Sequence, residues 1–416
     1  MPTSSSFSPP ALPLIHWNEG EEARTARWRS ERGAPPPKRV MIADDTMNAD
    51  TAYRLACEGT GLLWRGDFQN ARQLLQALVR RVDAPVKETK TTLKKRLAKE
   101  ALAAAAPAEP GAAFHLYRQA QSQRARVLAM LLLPFNADYG VPLRRAPDAR
   151  EACAEVWGAA DLANGDSVAS MRELLGFISA HEWRKKGVLI DALGKEPNNR
   201  IYPHYGVYSP ARGEYLGLIA KAPLPPSGDA PFLAFDIGTG TGVIAALITR
   251  RASGRASVRI VATDSEPRAL ACARDNIARL GLSKQVKVEE ADMFPTTKTG
   301  KAQLIVCNPP WLPARASSPI EHAVYDEGSR MLLAFLNGLG AHLAPAGEGW
   351  LILSDLAEHL GLRTRAELLA AITAANLKVI AHLDAKPVHS KAGDSTDPLH
   401  AARAAEVTSL WRLGVA

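Results

Sequence analysis

The tetrapeptide Asn308-Pro309-Pro310-Trp311 follows the apolar run 303–307. Proline cannot continue a hydrogen-bonded strand ladder, so the chain must leave a sheet at this point. The residues around two consecutive prolines are held extended and stiff. That geometry points two neutral acceptors, the Asn308 side-chain oxygen and the Pro309 carbonyl, at one spot. Together they can take both N–H bonds of an –NH2 group on an amide or a base. The nitrogen lone pair then aims at an electrophile with its geometry fixed in advance. Trp311 offers a flat face for stacking a planar amide or base. No strong base is needed, because the proton can leave after attack.

Three further segments precede it in chain order. "FDIGTGTGVIAAL" (235–247) reads as strand, glycine turn and helix. Gly238, Gly240 and Gly242 allow a tight turn and a closely approaching ligand, with a helix N-terminus aimed at it. The spacing is G-x-G-x-G, and Asp236 stands just before the first glycine, where a pyrophosphate would be repelled and an ammonium welcomed. Asp264 ends the next strand, where a carboxylate can accept both hydroxyls of a ribose. It also suits a helix cap. Asp292 ends the third strand, placed to accept an adenine amino hydrogen, with Met293 beside the base. Tyr202, Tyr205 and Tyr208 precede the glycine turn and can line a substrate mouth or simply pack. Glu321-His322 follows the Pro-Pro turn, open to substrate or to solvent. Cys307 reads as a small buried residue.

The elements that must position these residues are short β-like runs alternating with helices from about residue 201: 232–238, 258–264, 286–292, 303–308 and 349–355, with two more strands at the end as a terminal hairpin. Such alternation predicts an α/β fold, a Rossmann-like doubly wound sheet of seven mostly parallel strands. Residues 41–200 read as a mainly α-helical substrate-recognition domain. In it, "DFQNARQLLQALVRR" (67–81) puts Phe68, Ala71, Leu74, Leu75 and Leu78 on one face behind an Asp67 cap. Residues 87–106 read as a basic, Ala-rich helix or arm, and 114–133 as one helix. Residues 1–40, rich in Pro, Ser and charge, read as a disordered tail and linker.

The four cysteines are scattered, with no C-x-x-C pair, which fits a reducing cytoplasm and neither a zinc site nor a disulfide framework. The histidines form no H-E-x-x-H, so no metal is expected. No apolar run reaches the ~18–20 residues of a membrane helix, and the N-terminus lacks a signal-peptide pattern. Net charge is +8, and residues 1–222 hold 31 Lys+Arg against 24 Asp+Glu. That asymmetry suits an acidic partner such as RNA or DNA, or a solvated basic face.

Residues 200–416 resemble the class I S-adenosylmethionine-dependent methyltransferases. The resemblance is to the amino-methylating branch with an N-P-P-[YFW] motif: HemK/PrmC-like glutamine methyltransferases of release factors, rRNA and tRNA base methyltransferases, and adenine-specific DNA methyltransferases. It implies S-adenosylmethionine as cofactor, held by Asp236, Gly238, Thr239, Gly240, Asp264, Asp292 and Met293. It implies Asn308 and Pro309 as orienting acceptors and Trp311 as the stacking aromatic; Tyr205 and Tyr208, from their place before the glycine turn, are the expected substrate contacts. "HYGVYSPARGEYLGL" (204–218) is similar to a segment of archaeal and eukaryotic HemK-like enzymes, with Glu214 near the usual acid and Tyr215 replacing the threonine. The implied partner is macromolecular: a translation factor, a ribosomal protein, or RNA or DNA. A protein-glutamine methyltransferase is preferred, a base methyltransferase is the alternative, and a non-catalytic cofactor-binding module and a nicotinamide enzyme are more distant.

Overall fold

The structure, a computed structural model, describes residues 12–84, 111–210, 213–226, 231–316, 318–387 and 397–416. The chain divides into two compact units, 1–106 with 118–181, and 107–117 with 182–416. The expected helix or arm at 87–106 and the first eleven residues lie outside the described residues.

The first unit corrects two expectations. It is not mainly helical, and residues 12–40 are not a tail. Its centre is a six-stranded sheet of β1 (Leu14–Glu19), β2 (Glu22–Trp28), β3 (Arg39–Ala43), β4 (Thr60–Trp64), β5 (Leu131–Phe135) and β6 (Ser167–Ser170), in the order β1-β2-β6-β5-β4-β3. β1 and β2 form an antiparallel hairpin turning at Gly20, whose φ is +66°. Only Ile15, Ala26 and Trp28 of this hairpin are deeply buried. They pack with Leu63, Leu132 and Val168. A hairpin with one wet face carries a thin apolar signal inside a Ser/Pro-rich stretch. β5 was hidden for another reason. The helix expected over 114–133 ends at Leu128, and Leu131–Phe135 is a wholly buried strand. A short apolar run does not by itself distinguish a buried strand from a helix. The helix Phe68–Asp83 does form as its spacing requires. Phe68, Ala71, Leu74, Leu75 and Leu78 are buried, and Asp67 caps it by accepting from the Gln69 amide.

In the second unit, β7 (Val188–Leu189) and β8 (Arg200–Ile201) make a small antiparallel pair. The main sheet contains β9 (Phe232–Ile237), β10 (Val258–Asp264), β11 (Val286–Glu290), β12 (Ala302–Cys307), β13 (Leu343–Ser354), β14 (Leu377–Ala385) and β15 (Thr408–Val415). Its order is β11-β10-β9-β12-β13-β15-β14. The first five neighbours run parallel, and β15 runs antiparallel between β13 and β14. This is the seven-stranded, mostly parallel, doubly wound sheet expected. Ala234, Leu304 and Val306 face one core with Leu216, Ile244 and Ile277 of the helices Glu214–Lys221, Val243–Arg251 and Pro267–Arg279. Phe235, Ile305 and Cys307 face the other with Leu332, Leu336 and Leu368 of the helices Arg330–His342 and Arg365–Ala374. Covered faces explain why these strands read as continuous apolar runs. The strand order reverses between β9 and β12, so a crevice opens at their carboxyl ends, where such sheets bind ligands.

The antiparallel strand is locked by a largely buried ion pair. Arg412 on β15 donates its Nε and Nη2 to Glu348 of β13 at 2.8 and 2.6 Å, and Trp350 Nε1 adds a third bond at 2.9 Å. Removing one partner leaves the other charge buried without compensation. Glu348→Ala should therefore lose about 3 kcal/mol of stability, measured by urea unfolding, whereas Glu348→Gln, which keeps an acceptor, should lose less.

Candidate active site

β9 delivers Asp236 and the glycine turn to the crevice. Gly238, Gly240 and Gly242 have φ of +69°, +54° and +79°, the left-handed region that only glycine enters at little cost. A Cβ on Gly238 would lie 2.5 Å from Met331 Cε, and one on Gly242 3.3 Å from the Ala273 backbone. A Cβ on Gly240 would meet nothing within 4 Å, so this glycine serves the turn and leaves room beside it.

Asp236 is fully buried. Its Oδ2 accepts from Thr239 Oγ1 at 2.6 Å and from the Ala245 amide at 3.0 Å. The carboxylate thus clamps the strand end to the first turn of the helix Val243–Arg251. Thr239 also donates its amide to the Thr263 carbonyl at 2.8 Å. Asp236 Oδ1 has no hydrogen-bond partner among the described residues. Burial pushes the carboxyl up to about 6, with the nearby Asp264 charge adding and the Thr239 and Ala245 bonds opposing.

Asp264, at the end of β10, accepts from the Gly240 amide through Oδ2 and from the Glu266 amide through Oδ1, each at 3.0 Å. It ties the glycine turn to the next strand and braces the start of the helix Pro267–Arg279. Each oxygen retains a further acceptor site for a ribose hydroxyl. Met293 has φ +85°, and its carbonyl accepts from Thr263 Oγ1 at 2.6 Å. Its side chain packs against the core beneath the crevice. Asp292 is exposed on the rim, 3.4 Å from Arg330 Nη1.

Asn308 leaves β12 beside β9, where Cys307 pairs with Ile237, so the Asn-Pro-Pro-Trp exit stands level with the glycine turn. Trp311 Nε1 donates to Asn308 Oδ1 at 2.9 Å. The spacing did not reveal this bond. It fixes which carboxamide atom is the oxygen and leaves that oxygen one more acceptor site. Pro309 is buried and Trp311 half-buried. Asp326, which sequence reasoning missed, caps the helix Arg330–His342 by accepting from the Met331 and Leu332 amides at 2.8 and 3.3 Å. Complete burial, with the charges of Asp236 and Asp326 adding, holds the Cys307 thiol well above its ordinary value.

The tyrosines divide. Tyr202 is stitched to the helix Pro267–Arg279, its amide donating to Asn276 Oδ1 at 2.8 Å. Asn276, fully buried, also donates to the Thr241 carbonyl at 3.1 Å, linking this segment to the glycine turn. The Arg268 guanidinium lies 5.7 Å from the Tyr205 ring centroid. Tyr208 is exposed, whereas burial pushes the phenol of Tyr215 up. Glu321-His322 sits in a short 3-10 turn, Pro319–Ala323. Among the described residues no group of three or more His, Cys, Asp or Glu could hold a metal ion.

These residues fit the cofactor that the motifs imply. The unpartnered Asp236 oxygen suits a cationic group, Asp264 suits a ribose diol, and Gly240 leaves space for close approach. The raised Asp236 carboxyl has a stability consequence. It titrates at 3.8 when unfolded and near 6 when folded, so its contribution is fully present below 3.8 and is lost as pH rises through about 6. The loss is on the order of 3 kcal/mol. Urea unfolding of wild type minus Asp236→Asn, from about pH 4 to 7, should show the wild type falling relative to the variant.

The model of the methyltransferase small domain matches residues 224–354. A release factor glutamine methyltransferase of Cereibacter sphaeroides is 30% identical over 186 residues, 42% of this chain and 63% of that protein. A tRNA1(Val) (adenine(37)-N6)-methyltransferase of Glaesserella parasuis is 38% identical over 76 residues, 18% of this chain and 31% of its own. The chain thus spans less than two thirds of the length of these relatives. A solved methyltransferase from Pyrococcus furiosus aligns with 57% of this chain and 98% of its own, at 16% identity and a TM-score of 0.36. The four motifs, from Asp236 to Trp311, stand in order on one sheet within the residues that match the methyltransferase small domain.

Proposed function

We propose that the protein is an S-adenosylmethionine-dependent N-methyltransferase acting on a side-chain amide of a protein, a glutamine in the manner of the HemK/PrmC-like enzymes. The observation that carries the reading is the Asn308 carboxamide, pinned by Trp311 at the strand exit level with the glycine turn. When bound, the cofactor supplies a sulfonium-activated methyl group. Asp236 offers its unpartnered oxygen to the cofactor's ammonium, and Asp264 accepts from the ribose hydroxyls. Asn308 Oδ1 and the Pro309 carbonyl accept the two amide N–H bonds of the acceptor. They thereby turn the nitrogen lone pair toward the methyl group, and the surplus proton leaves to water. The Asn308 oxygen enters this step already oriented, so little reorganisation remains. The several relatives named release factor glutamine methyltransferase support the amide acceptor.

A second reading, methylation of an exocyclic amino group on a base, is favoured by the basic balance of residues 1–222 and by the relatives that methylate tRNA adenine. The free thiols are consistent with the cytoplasm. Among the described residues no helix is long and apolar enough to cross a membrane.

The test uses tritiated S-adenosylmethionine and lysate of cells lacking the gene, split into protease-treated and nuclease-treated arms. The label should be lost with protease and kept with nuclease; loss with nuclease would establish the base reading. Asn308→Ala should reduce transfer about 100-fold or more, with cofactor affinity unchanged. Trp311→Phe, which keeps a ring and removes the N–H bond, should fall in between.

A further inference from the structure

At the carboxyl end of β13, beside the Asn308 exit, a short helix Leu356–His359 and a loop lead to Arg363. Arg363 is only 9% exposed. Its Nε and Nη2 are buried and have no hydrogen-bond partner among the described residues. These two atoms form the side-on edge of the guanidinium, which delivers two parallel N–H bonds to oxygen acceptors. A buried guanidinium left with that edge unmet is costly.

The surroundings place the segment that carries Arg363 beside the Asn308 exit. Leu312, next after Trp311, shares one apolar cluster with Leu356, Leu360 and Leu362, the residue just before Arg363. Val324 and Tyr325, which lead into Asp326, pack on the same cluster. The backbone here is firmly set. Thr364 and Glu367 form a capping box that starts the helix Arg365–Ala374 immediately after Arg363.

The charges around the fork choose its ligand. Glu358, Glu367 and Asp326 all act on Arg363, against the single cation Arg365. Each acid is engaged elsewhere: Glu358 with Arg365 at 2.8 Å, Glu367 with the Thr364 amide at 2.6 Å, and Asp326 with the amides of Met331 and Leu332. A phosphodiester arriving here would bring a further negative charge among three carboxylates. A neutral peptide carbonyl takes the same two N–H bonds without that repulsion.

Resting on the glutamine reading above, we propose that Arg363 binds the acceptor's main chain, donating Nε–H and Nη2–H to peptide carbonyl oxygen while Asn308 and Pro309 hold the side-chain amide. Arg363 is then a substrate-binding residue separate from the cofactor site.

The test measures initial methyl transfer at saturating tritiated cofactor over a dilution series of nuclease-treated lysate protein, with Arg363→Lys and Arg363→Gln. Lysine keeps the charge and loses the fork. The half-saturating acceptor concentration should rise about ten-fold or more in both variants, with the plateau rate near wild type and cofactor affinity by calorimetry unchanged. Unchanged half-saturation in either variant that still binds cofactor overturns the proposal and leaves the glutamine reading standing. Wild-type label found only in nuclease-sensitive material overturns both.

Discussion

A carboxylate with no exposure sits under the glycine turn, and the geometry of the crevice follows from it. Asp236 grips Thr239 and the Ala245 amide through one oxygen. That grip stops β9, bends the chain through three left-handed glycines and aims the helix Val243–Arg251 at the crevice. Burial raises the free energy of the ionised form, and two hydrogen bonds recover only part of it. The other oxygen remains without a protein partner, so the same residue that builds the turn also leaves an acceptor for a cation. Asp264 repeats the arrangement one strand over, fastening the turn through Gly240.

The acceptor side depends on the parallel register. β12 lies next to β9 because the strand order reverses there, and the Cys307–Ile237 pairing sets Asn308 level with the turn. The two prolines then forbid any continuation of the ladder. Trp311 donates back to Asn308, so the aromatic ring that ends the motif also orients the carboxamide that begins it. Both halves of the site therefore hang on adjacent strands, each buried on two faces by helices.

The parallel sheet and its motif order were legible because doubly covered strands must be apolar throughout, and because glycine and proline mark where each one ends. The first unit was less legible. Its hairpin buries only three residues deeply, and Leu131–Phe135 continues an apolar run that begins at Val127 in the last turn of a helix. The roles of Asp236 as a clamp, Asn276 as a link to Tyr202, and Asp326 as a helix cap depend on residues far apart in sequence or on the fold of a loop. No spacing rule announces them. The expected substrate tyrosines show the same limit, since Tyr202 turns out to be held by the helix Pro267–Arg279 while Tyr208 stays exposed.

The most direct test is the identity of the methylated monomer. Material labelled by the wild-type protein would be digested enzymatically to free amino acids and nucleosides and resolved by chromatography with mass detection. Glutamine methylated on its side-chain nitrogen, absent from material treated with Asn308→Ala, is the predicted result. A methylated nucleoside carrying the label, with no methylated glutamine, would contradict the account.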